Sequence, residues 1–226
     1  MTLLAAIVIG LPVQTGEFAL TPKPKYEDWS YRMHRLVLHI PKLKTEFAMR
    51  ARQKVVTIDR DNKFTVLFET RRSVVFQRGE AKDTPFSKNR TILYDPQGWQ
   101  QPSFLPGETG TTGISQLVAF RAPIDPVRIG NSWSYSQIGE PGVTVKFTLI
   151  GPENVGAADC LKVQSESRQI GTERPAKATG HFWIHQETGM IVMSSHKITD
   201  LYFAGRQIDA MLVFEPTDPA LFDRGG

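Results

Sequence analysis

Hydrophobic and polar positions alternate with a period of two along most of this 226-residue chain. Phe64, Val66 and Phe68 share one register of such a run, and Val143, Val145, Phe147 and Leu149 share another around Thr144, Lys146 and Thr148. That period marks an extended strand with one buried face. In Met211-Leu212-Val213-Phe214 both registers are apolar, as in a strand buried on both sides. The pattern predicts strands over 29–40, 45–58, 63–76, 90–94, 127–138, 143–150, 159–170, 179–187, 190–203 and 206–215. Turn-forming clusters separate them: Asp59-Arg-Asp-Asn62, Asp95-Pro-Gln-Gly98, Glu140-Pro-Gly142, Gly151-Pro-Glu-Asn154, Thr188-Gly189 and Gly205.

Strands this long, joined by short turns, predict a mainly β fold. The expected architecture is a long antiparallel meander that curves into a half-barrel or closes into a barrel. One stretch departs from the pattern. Residues 101–126 are rich in Pro and Gly, and Ile114, Leu117, Val118 and Arg121 fall at helical spacing. A short helix or irregular plug near 113–122 is therefore expected, placed to fill the open face of a curved sheet. Trp29-Ser-Tyr31 recurs as Trp133-Ser-Tyr135, each opening a long strand. The organisation predicted is a single β-domain over 20–216, or two similar halves joined near 101–126, with a loose tail over 217–226.

Composition changes this picture at the N-terminus. Leu3 to Val13 is an apolar run too short to cross a bilayer as a helix, and it matches the core of a secretory leader. Residues 1–19 are read as that leader, the alternative being a buried first strand. Export to the periplasm or the extracellular space follows, with no transmembrane span in the mature chain. The net charge of +4 is unevenly spread, with 17 Lys/Arg against 8 Asp/Glu between Thr21 and Arg90 and 10 against 15 elsewhere. Cys160 is the sole cysteine, so no internal disulfide forms, and its alternating surroundings describe a small buried hydrophobe.

Val127-Arg-Ile-Gly130-Asn-Ser-Trp133 followed by Trp183-Ile-His-Gln-Glu-Thr188-Gly189 resembles the signature of a group of uncharacterised exported bacterial β-proteins. Their fold is like that of the periplasmic lipoprotein carriers LolA and LolB. The resemblance covers mainly 120–215. It implies a curved antiparallel sheet wrapped around a short helix or a ligand, in which Gly130, Trp133, Trp183, Thr188 and Gly189 serve structure. Gly130 suits a positive-φ position, the tryptophans supply core area, and Thr188-Gly189 makes a hairpin turn. At His185 such relatives often carry an acidic residue, so a side chain capping that turn is less secure here.

Few residues suggest chemistry. His181 and His185 share a strand face but lie roughly 13 Å apart, too far for one ion. His34 and His39 face opposite ways on a strand. Ser195 cannot use His196 as a base for the same reason, and there is no Gly-x-Ser-x-Gly elbow. Asp59 and Asp61 sit in a turn; Glu166 and Glu187 have no sequence-visible partner. No glycine loop for phosphate is present. Arg50 and Arg52, like Tyr31, Met33 and Arg35, share a face, which is read as an outward surface and not as a nucleic-acid platform.

These readings predict no catalytic residue, no metal and no cofactor. The expected function is that of an exported envelope protein whose concave sheet binds an apolar or lipid-like ligand or docks an envelope protein. Phe64, Val66, Phe68, Val145, Phe147, Trp183 and Met193 are the predicted lining, beside Val143 and Ile191. Two alternatives stay open: a hydrolase of an envelope polymer, built around His181, His185 and Glu187, and an interaction module that uses the basic half.

Overall fold

The computed structural model describes residues 16–26, 30–40, 43–77, 80–84, 89–101, 112–138, 142–203 and 205–220. Most of the predicted leader, Trp29, residues 102–111, the turn at 139–141 and the end of the tail lie outside the described residues.

Alternating sequence produces alternating burial. In β8 (Gly142–Pro152) Val143, Val145, Phe147 and Leu149 are fully buried while Thr144 and Lys146 are exposed. Burial also alternates along the start of β3 (Phe64–Gln77) and along β5 (Asn89–Tyr94), β9 (Cys160–Ile170) and most of β11 (Ile191–Phe203). The other long strands are β1 (Ser30–Ile40), β2 (Leu43–Ile58), β10 (Lys177–His185) and β12 (Arg206–Pro216). With β4 (Glu80–Thr84), β6 (Gln100–Gln101) and β7 (Ser132–Gln137) all these strands form one twelve-stranded antiparallel sheet. Its order is β6-β5-β3-β2-β1-β12-β11-β10-β9-β8-β7, with β4 paired to β3. The sheet is curved and not a closed barrel, and among the described residues one short helix, α1 (Thr112–Leu117), packs against β8 and β9. The expected mainly β architecture is the one adopted.

Bulges supply the curvature and reset the register. They fall between Arg50 and Ala51, Val55 and Thr57, Leu149 and Gly151, Trp183 and Ile184, and Ile198 and Leu201. At the last, Asp200 takes φ 59°, and burial passes from Ile198 to Leu201, an odd step.

One predicted boundary is corrected, and two short strands are added. The strand expected from Val127 begins at Ser132; Val127 makes only an isolated bridge to Phe18. A turn intervenes, in which Gly130 has φ 85° and Asn131 Oδ1 accepts the Arg128 amide at 3.0 Å. The predicted short helix or irregular plug is both: α1 ends at Leu117, its last carbonyl accepting from Ser167 Oγ at 2.7 Å, and 118–122 continue without helix. β4 and β6 were not predicted, because Glu-Ala-Lys-Asp-Thr and Gln-Gln carry no apolar alternation.

A core lies between the concave face, α1 and the segment after it, and includes Leu38, Leu117, Phe120, Phe147, Phe182 and Ile198. On the convex side Cys160, Trp183 and Val192 form a separate small cluster with Val155, Ala158 and Met193. Residues 16–26 run as a strap across one end of the sheet. Phe18 bridges Val127, Leu20 is buried, the Lys23 amide donates to Thr188 O at 2.7 Å, and Tyr26 Oη accepts the Ile58 amide.

The strap explains Gly189 twice over. Its φ is 64°, and a Cβ there would stand 2.5 Å from the Thr21 carbonyl oxygen. Gly130 has φ 85° but open space around it. Gly189→Ala is therefore expected to cost about 1–3 kcal/mol, and Gly130→Ala about 1 kcal/mol, in urea denaturation. Equal losses at the two sites would show that the strap does not press on this turn.

Candidate ligand-binding cleft

Inward residues of β1–β3, β5 and β10–β12, with the strap and the α1 segment, enclose a cleft of about 390 Å³. That volume is at the lower end for small-molecule sites. Phe64, Val66 and Phe68 come from one register of β3, Ile92 and Tyr94 from β5, and Leu212 and Phe214 from β12. Ile114, Val118 and Phe120 also line it, from the α1 segment, and Pro22 of the strap borders one end. The Phe64 ring stacks on Tyr94 at 5.1 Å. Burial pushes the Tyr94 phenol up to about 12, so it stays a neutral hydroxyl.

The lining is not wholly apolar. His34, Gln53, Arg90, Gln100, Ser115 and Ser194 also border the cleft. His34 packs edge-on against Phe68 and Phe214, with ring centroids 5.2 and 4.6 Å away. Its Nε2 is buried without a hydrogen-bond partner. Burial, helped by Arg90 and Arg32, holds its imidazole down at about 3. The Arg90 guanidinium lies 5.4 Å from the Phe68 ring.

Of the predicted lining, Phe64, Val66, Phe68 and Ile191 border the cleft. Val143, Val145 and Phe147 do not: they are fully buried in the core beneath α1, because helix and sheet meet there without a gap. Trp183 and Met193 are a further correction. They occupy the convex register of β10 and β11, where Trp183 Nε1 donates to Glu153 Oε1 at 2.9 Å. Their neighbours Phe182 and Ser194 take the concave positions.

The two sheet edges are stitched by a residue that helical spacing misplaced. Arg121 lies beyond α1, 3.5 Å from Asp95, with its Nε donating to Gln97 Oε1 at 2.9 Å and its guanidinium 4.2 Å over the Tyr135 ring. Trp133 Nε1 donates to the Arg121 carbonyl at 2.8 Å. The turn after β5 is thereby tied to β7, and Trp133 serves the seam as well as the core.

The histidines expected to frame a hydrolase do not converge. His185 Nδ1 accepts the Glu187 and Thr188 amides at 3.3 and 3.4 Å, so the imidazole itself caps the turn. Glu187 pairs with Lys25, and His181 stands beside Trp183. Ser195 and His196 do face opposite ways. His196 instead meets Ser165 Oγ at 3.5 Å, both fully buried and neither bordering the cleft. Gly180 makes room for it, since a Cβ there would press on the Ser195 carbonyl and the His196 ring. Among the described residues no three His, Cys, Asp or Glu side chains are grouped to hold a metal. No described helix is long and apolar enough to cross a membrane.

No family model matches this chain, and no curated protein does. Among solved structures it is similar to the hypothetical lipoprotein YmcC from Escherichia coli (K12), at 16% identity and a TM-score of 0.32. The match covers 84% of this chain and 85% of that one. Similarity at this level carries no information on ligand or activity.

Burial also holds the His196 imidazole at about 3, with His181 contributing. An unfolded histidine titrates near 6.5. Between those values the unfolded chain carries a proton that the folded chain refuses, so stability falls as pH drops below about 6.5. His196 accounts for about 2 kcal/mol lost by pH 5. In denaturation at pH 7.5 and 5.0, His196→Gln is expected to lessen the pH-dependent loss by about that amount. An undiminished loss in the variant would refute the assignment.

Proposed function

We propose that this is a non-catalytic, exported β-protein of the cell envelope that shelters an apolar, acyl-chain-like ligand on its concave face. The observation that carries the reading is the cleft: about 390 Å³ between a curved sheet and a short helix, walled chiefly by aromatic and aliphatic side chains. Its place between sheet and helix is the arrangement implied by the resemblance to the LolA and LolB type of carrier. The apolar run Leu3–Val13 supports export. A cleft of this size suits one chain and not several. Burial of about ten methylenes contributes about 8 kcal/mol before the costs of association and ordering. Net affinity in the micromolar range follows.

The neutral dye N-phenyl-1-naphthylamine reports such a site by its fluorescence. Val66 borders the cleft on rigid β3, so Val66→Trp fills the space. The variant is expected to weaken dye binding by about ten-fold without loss of folding, about 1.4 kcal/mol at this temperature. Mass spectrometry of solvent extracts from the purified protein should also release a single-chain lipid. No dye binding and no extracted lipid would refute the reading.

A further inference from the structure

The concave face carries more positive charge than an apolar cleft requires. Arg32 belongs to the inward register of β1, opposite Ala51, which is fully buried. Its guanidinium lies 5.7 Å from the Phe214 ring, and its Nη1 donates to the adjacent Tyr31 carbonyl at 3.0 Å. Nε is buried with no partner, and burial lowers the pKa of the group. Among the described residues no carboxylate pairs with it. The reason is register: Glu46, Glu69, Asp209 and Glu215 all fall in the outward register of their strands. Glu69 and Glu215 bind Arg52 and Arg35 on the convex side, at 2.7 and 3.3 Å.

Arg90 approaches the same spot from β5, its guanidinium over Phe68. His34 lies between, against both Phe68 and Phe214, with its unpartnered Nε2 buried in the cleft wall. Two guanidinium groups and an unsatisfied imidazole nitrogen thus surround two aromatic rings at one region of the cleft: His34 and Arg90 border it, and Arg32 lies against the bordering Phe214 ring. A buried guanidinium nitrogen and a buried imidazole nitrogen without hydrogen-bond partners each cost free energy. An anionic oxygen group relieves both at once, and a guanidinium presents donors in a fork that fits carboxylate or phosphate oxygens.

We infer that the ligand is a single-chain amphiphile whose polar end is an anionic oxyacid, a carboxylate or a phosphate monoester, seated against His34 and Arg90 within the field of Arg32, while its chain lies along Phe64, Val66 and Ile92. A cationic or quaternary ammonium head is excluded by the same charges. This rests on the reading of the cleft as an apolar ligand site and specifies the chemistry of the occupant.

The test is displacement of N-phenyl-1-naphthylamine from the wild-type protein by three ligands with the same chain: oleate, oleoyl lysophosphatidate and oleyl alcohol. At least one anion is expected to bind about ten-fold or more tightly than the alcohol, as for one charge-assisted contact retained in a desolvated site. An advantage for oleate alone identifies a free acid, and one for the lysophosphatidate alone identifies a phosphate head; either supports the inference. Arg32→Met and Arg90→Met should each shrink the anion's advantage several-fold while leaving alcohol affinity within about two-fold. Equal binding of all three ligands by the wild type would overturn the anionic end and leave the apolar site standing. Dye and ligands that all fail to bind would remove the site itself. Variants that weaken alcohol and anion alike, with a lowered unfolding midpoint, would assign the arginines to structure and overturn the inference. The wild-type comparison needs no variant to fold.

Discussion

β1 and β12 pair antiparallel over eight registered positions, from Arg32 against Pro216 to His39 against Asp209, and this ladder joins the N-terminal and C-terminal meanders into one sheet. It is the contact of greatest sequence separation among the strands, and the cleft depends on it. It sets His34 opposite Phe214, which in turn lies opposite Ser194 on β11 and so in line with Phe182 on β10. Because side chains alternate along a strand, a slip of one residue in β1 against β12 would turn Arg32 and His34 outward and bring Met33 and Arg35 in. The concave face therefore inherits its chemistry from one long-range register.

Around that ladder the sheet must curve without closing. Bulges supply the bend, and side chains replace the missing backbone ladder at the open seam. Arg121 gathers Asp95, Gln97 and Tyr135 there, while the strap 16–26 lies across one end and buries Leu20. The result is a cavity where sheet, strap and helix diverge, and a solid core where α1 meets β8 and β9. Beside the hollow part Arg32 Nε and His34 Nε2 lose hydration without gaining a hydrogen-bond partner.

Much of this was legible in the residues. Period-two alternation located most strands within a few residues, and Phe64, Val66 and Phe68 were rightly assigned to one inward register. Parity also held the signal for Arg32 and His34, which share their register with Leu38, and for Arg90, which shares its own with Ile92 and Tyr94. It was overlooked because charged residues on long strands are usually outward. Trp183 and Met193 went the other way: large and apolar, they were read as inward, yet the loop 153–159 gives them a dry convex pocket. Arg121 matched a helical spacing by chance, and no local pattern announces that its partners are Asp95 and Tyr135.

The sequence by itself determined the strands, their two faces and the turns between them, because alternation, glycine conformation and strand propensity act over a few neighbouring residues. It also determined that the chain lacks the compact motifs of hydrolases and phosphate binders. Tertiary structure decided which inward face borders empty space and which is filled, since Phe68 and Phe147 are equivalent as alternating phenylalanines and differ only in what packs opposite. It likewise decided that three basic side chains from β1 and β5 meet at one place. Their convergence depends on curvature and on pairing across nearly the whole length of the chain, and neither quantity is written in any local stretch.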